Sequence, residues 1–412
     1  MYDAQKVRRL LEARKPGFTL SREMYSDADV FAFDCEAVWT RSWLMACVEA
    51  ELPQAGSYVA TRAAGSPILV VRDRKGDIRA FHNSCRHRGA QICGEGRGKA
   101  GRLVCPYHRW TYDLTGALLP PPRMGPDFDA SLYGLTPIAC ETLEGLIYVC
   151  LSDTPPDFSA FRRTVGPLLA PHNLAKAKVA AEQTLIEKGN WKLVMENARE
   201  CYHCVTGHPE LSRGFPVSTG VAFDFSDDPR FGAFAERMSR IGLPIGPADG
   251  PWWQAARFPL NEGFISLSET GAQLVAKPLN AAGESDIGSL RWALEPNVFC
   301  HAVGDHAFLF SCDPISPQET LVTGKWLVHP EAEEGVDYDV AALTDLWTRT
   351  NLQDRDLVET NQRGVNSLGF QPGPYSPEAE ILVARFVDWY CEAAKAALDA
   401  PSQTSAILSG VA

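Results

Sequence analysis

The chain has 412 residues, 45% hydrophobic and 22% charged, with a formal net charge of -12 and twelve cysteines. That length exceeds what one core comfortably supports, so two domains are expected. An acidic balance with no Lys/Arg run excludes nucleic acid as a partner; no apolar stretch reaches about eighteen residues and MYDAQKVRRLLEARK has no signal-peptide core, so a soluble, cytoplasmic protein without membrane spans is expected.

Lys6 to Arg14 alternates charge with Val7, Leu10 and Leu11 and reads as a helix, and Ser26-Asp27-Ala28-Asp29 reads as a cap before Val30, Phe31 and Phe33. From Trp43 to Leu151 the pattern changes to short runs such as SYVATRA, PILVVRD, IRAFHN, RLVCPY, WTYDLTGALL and LIYVCLS, punctuated by glycine and proline, which predict strands. Pro155-Pro156, Pro167 and Pro171 mark a boundary. Beyond it, strands are expected at Lys178 to Glu187, Phe299 to Pro314 and Thr320 to His329, and helices at Trp191 to Tyr202, Tyr338 to Arg363 and Pro377 to Leu398. The last helix has Ser376 as N-cap, Pro377 at its first position and Glu378 in its first turn. The expected fold is α+β: a helical segment over residues 1–42, an all-β domain over 43–155, and a larger domain over 156–412 on which the first segment packs.

The β-rich block contains CRH at Cys85 to His87 and, after seventeen intervening residues, CPYH at Cys105 to His108. Two thiolates and two imidazoles thus arrive as two mixed pairs. A [2Fe-2S] cluster with one iron held by two cysteines and the other by two histidines is a Rieske centre, whose neutral imidazoles raise the potential far above that of an all-thiolate cluster. Cys85 and Cys105 are expected on the inner iron, His87 and His108 on the outer one. Zinc is the rival metal, but its structural sites pair cysteine with cysteine and histidine with histidine. Arg88-Gly89 and Pro106 predict tight loops that bring backbone N–H groups onto cluster sulfurs. Cys93, Cys140, Cys150, Cys300 and Cys312 read as packing residues, and the C-x-x-C of Cys201 and Cys204 is explained by its neighbouring histidine better than by redox chemistry.

The segment NWKLVMENARECYHCVTGHPE carries His203 and His208. On an unbroken helix, residues five apart diverge by roughly 140°. Gly207 and Pro209 are therefore expected to end or bulge the helix between the two imidazoles so that both converge. Two histidines and a carboxylate make the facial triad of non-haem Fe(II) oxygenases, a suitable acceptor for single electrons. NLQDRDLVETNQRG offers Asp354, Asp356 and Glu359 as the carboxylate, and position alone does not choose among them.

Taken together, CRHRG with CPYHRW, then ECYHCVTGH, then QDRDLVE, resemble the catalytic α-type subunit of Rieske non-haem iron oxygenases over nearly the whole chain. NWKLVMENARECYHC, DPISPQETLVTGKWLVHP, EGVDYDV and NSLGFQPGPYSPE are similar to the branch acting on quaternary ammonium compounds, glycine betaine monooxygenases and stachydrine (proline betaine) demethylases. The resemblance implies a Rieske [2Fe-2S] cluster, a mononuclear Fe(II), a catalytic domain of the helix-grip type, a head-to-tail homotrimer, and an NAD(P)H-dependent flavin/iron-sulfur reductase as electron donor. It implies Asp354 as the carboxylate ligand, with Asp356 second, and a bridging role for Glu200, hydrogen-bonded to His203 and to His108 of the partner subunit. The implied reaction consumes O2 and releases an N-methyl group as formaldehyde, from stachydrine first and glycine betaine second. A ring-hydroxylating dioxygenase, and an electron-transfer protein without oxygen chemistry, are the alternatives. A permanent cation favours aromatic faces, each contributing about 0.5–2 kcal/mol. Trp252, Trp253, Phe264, Trp292, Phe308 and Phe310 are candidates for them, with Asp305 and His306 of the GDH turn for the polar ends of the substrate.

Overall fold

Period-two alternation of apolar residues builds two antiparallel sheets of seven strands in the computed structural model, which describes residues 2–217 and 230–400. The first runs in the order Leu44–Val48, Leu146–Cys150, Pro137–Leu143, Ile78–His82, Ser66–Arg72, Ser57–Ala63, Gly96–Lys99. A two-stranded ribbon, Leu103–Val104 with Thr111–Tyr112, presents the CPYH loop at its tip. The CRH loop follows Ile78–His82, and a small core of Leu69, Val71, Phe81, Trp110 and Tyr112 lies beneath both and includes Cys85 and Cys105.

The second sheet has the order Lys178–Glu187, Glu319–Val328, His306–Ser316, Val298–Ala302, Ser289–Leu294, Trp253–Phe258, Ala248–Asp249. Alternation assigns its two faces. Trp292, Leu294, Cys300 and Leu309 enter a core shared with Phe161 and Val165 of helix Ser159–Leu169, with Phe158 at its N-cap, with Tyr148 of the first sheet and with Trp43 just before that sheet's strand Leu44–Val48. Phe308, Phe310 and Cys312 enter the opposite core, shared with Trp347 and Val358 of helix Val340–Val365 and Phe386 and Tyr390 of helix Ile381–Asp399. Each large side chain so buried contributes about 1.5–3 kcal/mol. The α+β expectation holds, with helices covering an antiparallel sheet.

Several boundaries differ from the sequence expectation. Phe299 to Pro314 is two strands joined, as the GDH turn implies, at Gly304, in a tight turn closed by the Val303 N–H on the His306 carbonyl (3.0 Å). Trp253–Phe258 and Ser289–Leu294 complete the sheet without having been distinguished as strands beforehand. Ser376 does form a cap, with its Oγ accepting from the Glu378 and Ala379 N–H groups (3.3 and 3.1 Å) and Glu380 Oε2 accepting from its own N–H (2.6 Å). The reciprocal bonds hold residues 377–379 in a turn, so the regular helix starts at Ile381 rather than Pro377. No helix among the described residues is long and apolar enough to cross a membrane.

The N-terminal segment forms helices Ala4–Glu12, Arg22–Ser26 and Ala28–Phe33; the cap of the third is Asp27, which accepts from the Asp29 and Val30 N–H groups (2.9 and 3.3 Å). Val7, Leu11, Val30 and Phe33 join the core of Trp191, Phe386 and Tyr390. Asp34 locks this contact: it accepts from Trp191 Nε1 (3.0 Å), from the Tyr390 hydroxyl (2.7 Å) and from the Lys192 ammonium, with both charged side chains fully buried. Asp34→Ala leaves the Lys192 charge without its counter-ion in a dry core. The expected loss is about 3–5 kcal/mol in urea denaturation, and a loss below about 1 kcal/mol contradicts a charged pair there.

Candidate functional site

Both loops of the first site are closed by backbone bonds around their cysteines. The Cys85 N–H donates to the Ala90 carbonyl (2.9 Å) and the Gly89 N–H to the Cys85 carbonyl (2.8 Å), with Gly89 in the left-handed region at φ 77°. The Cys105 N–H donates to the Trp110 carbonyl (2.8 Å) and the Arg109 N–H to the Cys105 carbonyl (3.1 Å). The cysteines are 3% and 1% exposed, His87 is half-buried, and His108 is exposed. The two imidazoles lie 4.7 Å apart between centroids, and His87 stacks on Trp110 at 4.8 Å. His87 Nδ1 is buried without a hydrogen-bond partner, as an imidazole reserved for a metal is. Two buried thiols beneath two outward imidazoles fit the inner and outer irons of a Rieske cluster.

Tyr112 adds a tuning contact that the motif does not reveal. Its hydroxyl accepts the Arg86 N–H (3.0 Å) and lies 3.3 Å from Cys85 Sγ, and toward a cluster-bound thiolate, which carries no proton, the hydroxyl would be the donor. Burial, together with the bond to Cys85, pushes its pKa up and keeps it protonated. A donor to a cluster sulfur favours the reduced state. Tyr112→Phe should therefore lower the midpoint potential. One hydrogen bond of about 1 kcal/mol corresponds to about 40 mV for one electron, and a redox titration followed by electron paramagnetic resonance that finds no shift contradicts the assignment.

The second site forms where helix Trp191–Asn197 stops. The chain leaves the helix at Ala198, and a single turn, Cys204–Gly207, carries His203 at its start and His208 at its end. The expected break between the histidines is present, since the turn ends at Gly207 and His208 leaves it at φ -130°, ψ 69°; a second break, not expected, falls before His203 at Ala198. The result is convergence: the two Nε2 atoms are 3.0 Å apart, and Asp354 Oδ1 lies 3.3 Å from that of His203 and 2.9 Å from that of His208. Neighbours fix the rings. His208 Nδ1 meets Gln353 Oε1 (2.8 Å), itself held by Glu210 (3.0 Å), and His203 Nδ1 meets Glu200 Oε1. Each Nδ1 is thereby occupied and each Nε2 turned inward, as metal-binding histidines require.

Electrostatics agree. Burial opposes protonation of His203, but bonds to Asp354 and Glu200 prevail and raise it to about 9; burial pushes Asp354 up, but the two imidazoles hold it below its ordinary value. The site therefore attracts positive charge, and two imidazole nitrogens with one carboxylate oxygen are the donor set of a mononuclear iron(II) triad. Cys204 Sγ falls in the same 4.8 Å group of donor atoms as the histidines, but it is bonded to Cys201, which leaves the third position to Asp354. The C-x-x-C, read from the sequence as better explained by its neighbouring histidine than by redox chemistry, is a disulfide between Cys201 and Cys204 whose loop encloses Tyr202 and His203. Asp356, two residues along the helix and so facing roughly 160° away, is 70% exposed and pairs with Arg355, while Glu359 accepts the Lys188 N–H (3.2 Å).

A cavity of about 50 Å³ opens on the triad, walled by Phe215, Arg291, Phe299, His301, Phe310 and Trp347. Glu187 also lines it; its Oε2 has no partner, and burial, with the charge of Asp354, pushes its pKa up to about 8. Of the aromatic residues singled out from the sequence, Phe310 is in this wall and the others are not. Trp292 points into the opposite core because its neighbour Arg291 takes the cavity face. Phe308 stacks behind Trp347 (4.5 Å, 11°), Trp252 and Trp253 pack on Phe161 (5.3 and 5.7 Å), and Phe264 covers Gly214 and Gly271. Asp305 is a loop anchor: it accepts from Ser266 Oγ (2.8 Å) and from the Leu274 and Val275 N–H groups (2.7 and 3.1 Å), and also holds His306 Nδ1 (3.0 Å). Trp347 was legible in principle, since seven residues before Asp354 on a helix is roughly the same direction.

These two sites and their sheets define a Rieske non-haem iron oxygenase, and the chain belongs to that family. It matches the Rieske [2Fe-2S] domain over residues 42–139 and the ring hydroxylating alpha subunit (catalytic domain) over residues 174–396, so its cofactors are a Rieske cluster and a mononuclear iron and its activity is that of an oxidoreductase. Within the family it is 41% identical to the glycine betaine monooxygenase oxygenase subunit of Chromohalobacter salexigens, over 97% of this chain and 91% of that protein. The fold is similar to that of a quaternary ammonium Rieske monooxygenase whose structure concerns carnitine oxidation and inter-subunit electron transfer (TM-score 0.69, 19% identity, 94% of this chain and 97% of that one). It is also similar to naphthalene 1,2-dioxygenase with bound indole (TM-score 0.66, 18% identity, 93% and 95%).

Proposed function

We propose that the chain is the oxygenase component of a betaine N-demethylating monooxygenase. The observation that carries this is the triad His203, His208 and Asp354, with ligand atoms within 3.3 Å of one another, at the floor of a small aromatic cavity. Faces of Phe299, Phe310 and Trp347 suit a cation that cannot donate a hydrogen bond. The relative at 41% identity supports glycine betaine as first substrate and stachydrine as second, the reverse of the order expected from sequence.

The Rieske cluster supplies single electrons and the mononuclear iron supplies O2 activation. In this assignment Cys85, Cys105, His87 and His108 hold the first, in residues 43–155; His203, His208 and Asp354 hold the second, in 156–412; and residues 1–42 brace the latter. Gln353 and Glu200 orient the imidazoles, and the aromatic wall keeps water from the reacting methyl group. O2, two electrons and two protons enter. One oxygen atom leaves in water and the other becomes an N-hydroxymethyl group, whose C–N bond then breaks to give formaldehyde, a proton and the tertiary amine.

Electrons come from an NAD(P)H-dependent flavin/iron-sulfur reductase and reach the triad across a head-to-tail trimer. Two features support this route: His108 is exposed, and Glu200 and His203 line both the iron cavity and an outer groove with Thr19, Leu357 and Tyr375. The test is formaldehyde release by reconstituted enzyme and reductase from a panel of glycine betaine, stachydrine and carnitine. Formaldehyde from none of them, or a cis-diol from an arene instead, overturns the assignment.

A further inference from the structure

We propose that the Cys201–Cys204 disulfide is a reversible redox site, and that its reduction gives the mononuclear iron a further protein ligand, the Cys204 thiolate. The inference rests on the triad of His203, His208 and Asp354 and on no choice of substrate. Sγ of Cys204 and one ring nitrogen of each histidine all lie within 4.8 Å of one another. Metal–nitrogen and metal–sulfur bonds of about 2.1 and 2.3 Å put opposite ligands of one ion about 4.4 Å apart. The sulfur therefore stands within a small side-chain rotation of coordinating distance. What withholds it is the bond to Cys201, since a disulfide sulfur carries no thiolate charge.

The backbone around Cys204 is held by other bonds. Its N–H donates to the Cys201 carbonyl (3.2 Å), and its carbonyl accepts from the His208 N–H and from Ser212 Oγ (both 2.8 Å). Opening the disulfide thus frees the side chain alone, and the sulfur stays among the imidazoles. Both cysteines line the iron cavity, yet their loop is also reachable from outside: Tyr202 and Val205 are 69% and 63% exposed and Cys201 is half-buried, whereas Cys204 is 3% exposed. A dithiol reductant therefore attacks Cys201. Its first sulfur forms a mixed disulfide with Cys201 as the bond to Cys204 breaks, and its second sulfur then displaces Cys201. Two electrons and two protons pass from the dithiol to the two cysteines, and Cys204 gives up its proton on binding iron. Hydrogen peroxide reverses the exchange, taking two electrons and two protons from the thiols and leaving as water. Peroxide is also what O2 becomes with two electrons and two protons when no methyl group is oxidised. A facial triad leaves open positions on its iron. The oxidised chain keeps them open, and the reduced chain fills one with sulfur.

The test uses the full chain with both metals loaded, without oxygen, and nitric oxide as the probe of the open position on iron(II). Dithiothreitol opens the disulfide and is removed, and alkylation with peptide mapping confirms free thiols at Cys201 and Cys204. Reduction is expected to weaken nitric oxide binding about tenfold, the effect of a thiolate that fills the position about nine-tenths of the time. The electron paramagnetic resonance spectrum of the iron nitrosyl changes with it, at constant iron content, and re-forming the disulfide restores both. Cys204→Ala is expected to bind nitric oxide equally before and after the same treatment. Should that variant not fold, Cys201→Ala decides: it frees Cys204 without any reductant and is expected to match the reduced wild type. Unchanged nitric oxide binding once both thiols are free overturns the proposal, as does an equal response in Cys204→Ala or a Cys201→Ala variant that matches the oxidised wild type. An insensitive wild type whose nitrosyl signal disappears in Asp354→Ala leaves the triad standing and defeats this inference alone; a signal that survives in Asp354→Ala defeats both.

Discussion

Asp354→Ala abolishes formaldehyde release and leaves about two irons per chain instead of about three, with the visible spectrum of the Rieske cluster intact. Among the described residues the Asp354 carboxylate is the one anionic group placed within 3.3 Å of both imidazole Nε2 atoms, so its removal takes away both a ligand and the charge that favours a cation there. Two neutral imidazoles alone hold iron(II) weakly. The cysteines and histidines of the first site hang from a different sheet and share no hydrogen bond with Asp354, so their cluster survives. Metal analysis and absorbance on the same sample separate the two effects. Asp356→Ala is the matched control: its side chain is exposed and pairs with Arg355, so turnover and iron content stay at wild-type levels and stability moves by less than about 0.5 kcal/mol. Iron retained in Asp354→Ala, or lost in the control, overturns the ligand assignment.

The ligands were legible in the sequence to different depths for a physical reason. Cys85, His87, Cys105 and His108 lie on two short loops, and a loop's spacing states its chemistry without knowledge of the fold. His203 and His208 are recognisable as a pair, and the end of the turn at Gly207 is legible between them; the earlier break is not, because no sequence signal marks the end of the helix at Asn197, where the chain simply stops its ladder. Asp354 stood among three acids on one helix and was singled out only through resemblance; its facing direction depends on what packs against the helix. The cavity wall was hardest to read. Alternation says that Arg291 and Trp292 point to opposite faces, and likewise Phe299 and Cys300, but both faces of this sheet are buried, so burial could not identify the face that looks at the triad. The eye is drawn to tryptophan, yet the side chain facing the cavity is arginine.

Glu200→Gln is expected to retain both metals while slowing delivery of the electron between them about 10- to 100-fold, the usual cost of disturbing a residue that orients a metal ligand. The amide keeps the shape of the side chain and one acceptor for His203 Nδ1, and the imidazole also remains fixed through Nε2 at the metal, so iron content should not change. What is lost is negative charge at the point where the iron cavity meets the outer groove. In the proposed head-to-tail trimer that groove would receive the exposed His108 of the partner subunit, and a carboxylate between two ligand imidazoles would accept hydrogen bonds from both, whereas an amide oxygen and nitrogen cannot both serve as acceptors. Stopped-flow oxidation of the reduced cluster in a single turnover isolates this step from substrate binding and product release. A wild-type rate shows that Glu200 only orients His203. A slow rate accompanied by loss of iron also rejects the bridge, since it traces the defect to the triad itself; a slow rate with full iron leaves the carboxylate between the two imidazoles as the element that was changed.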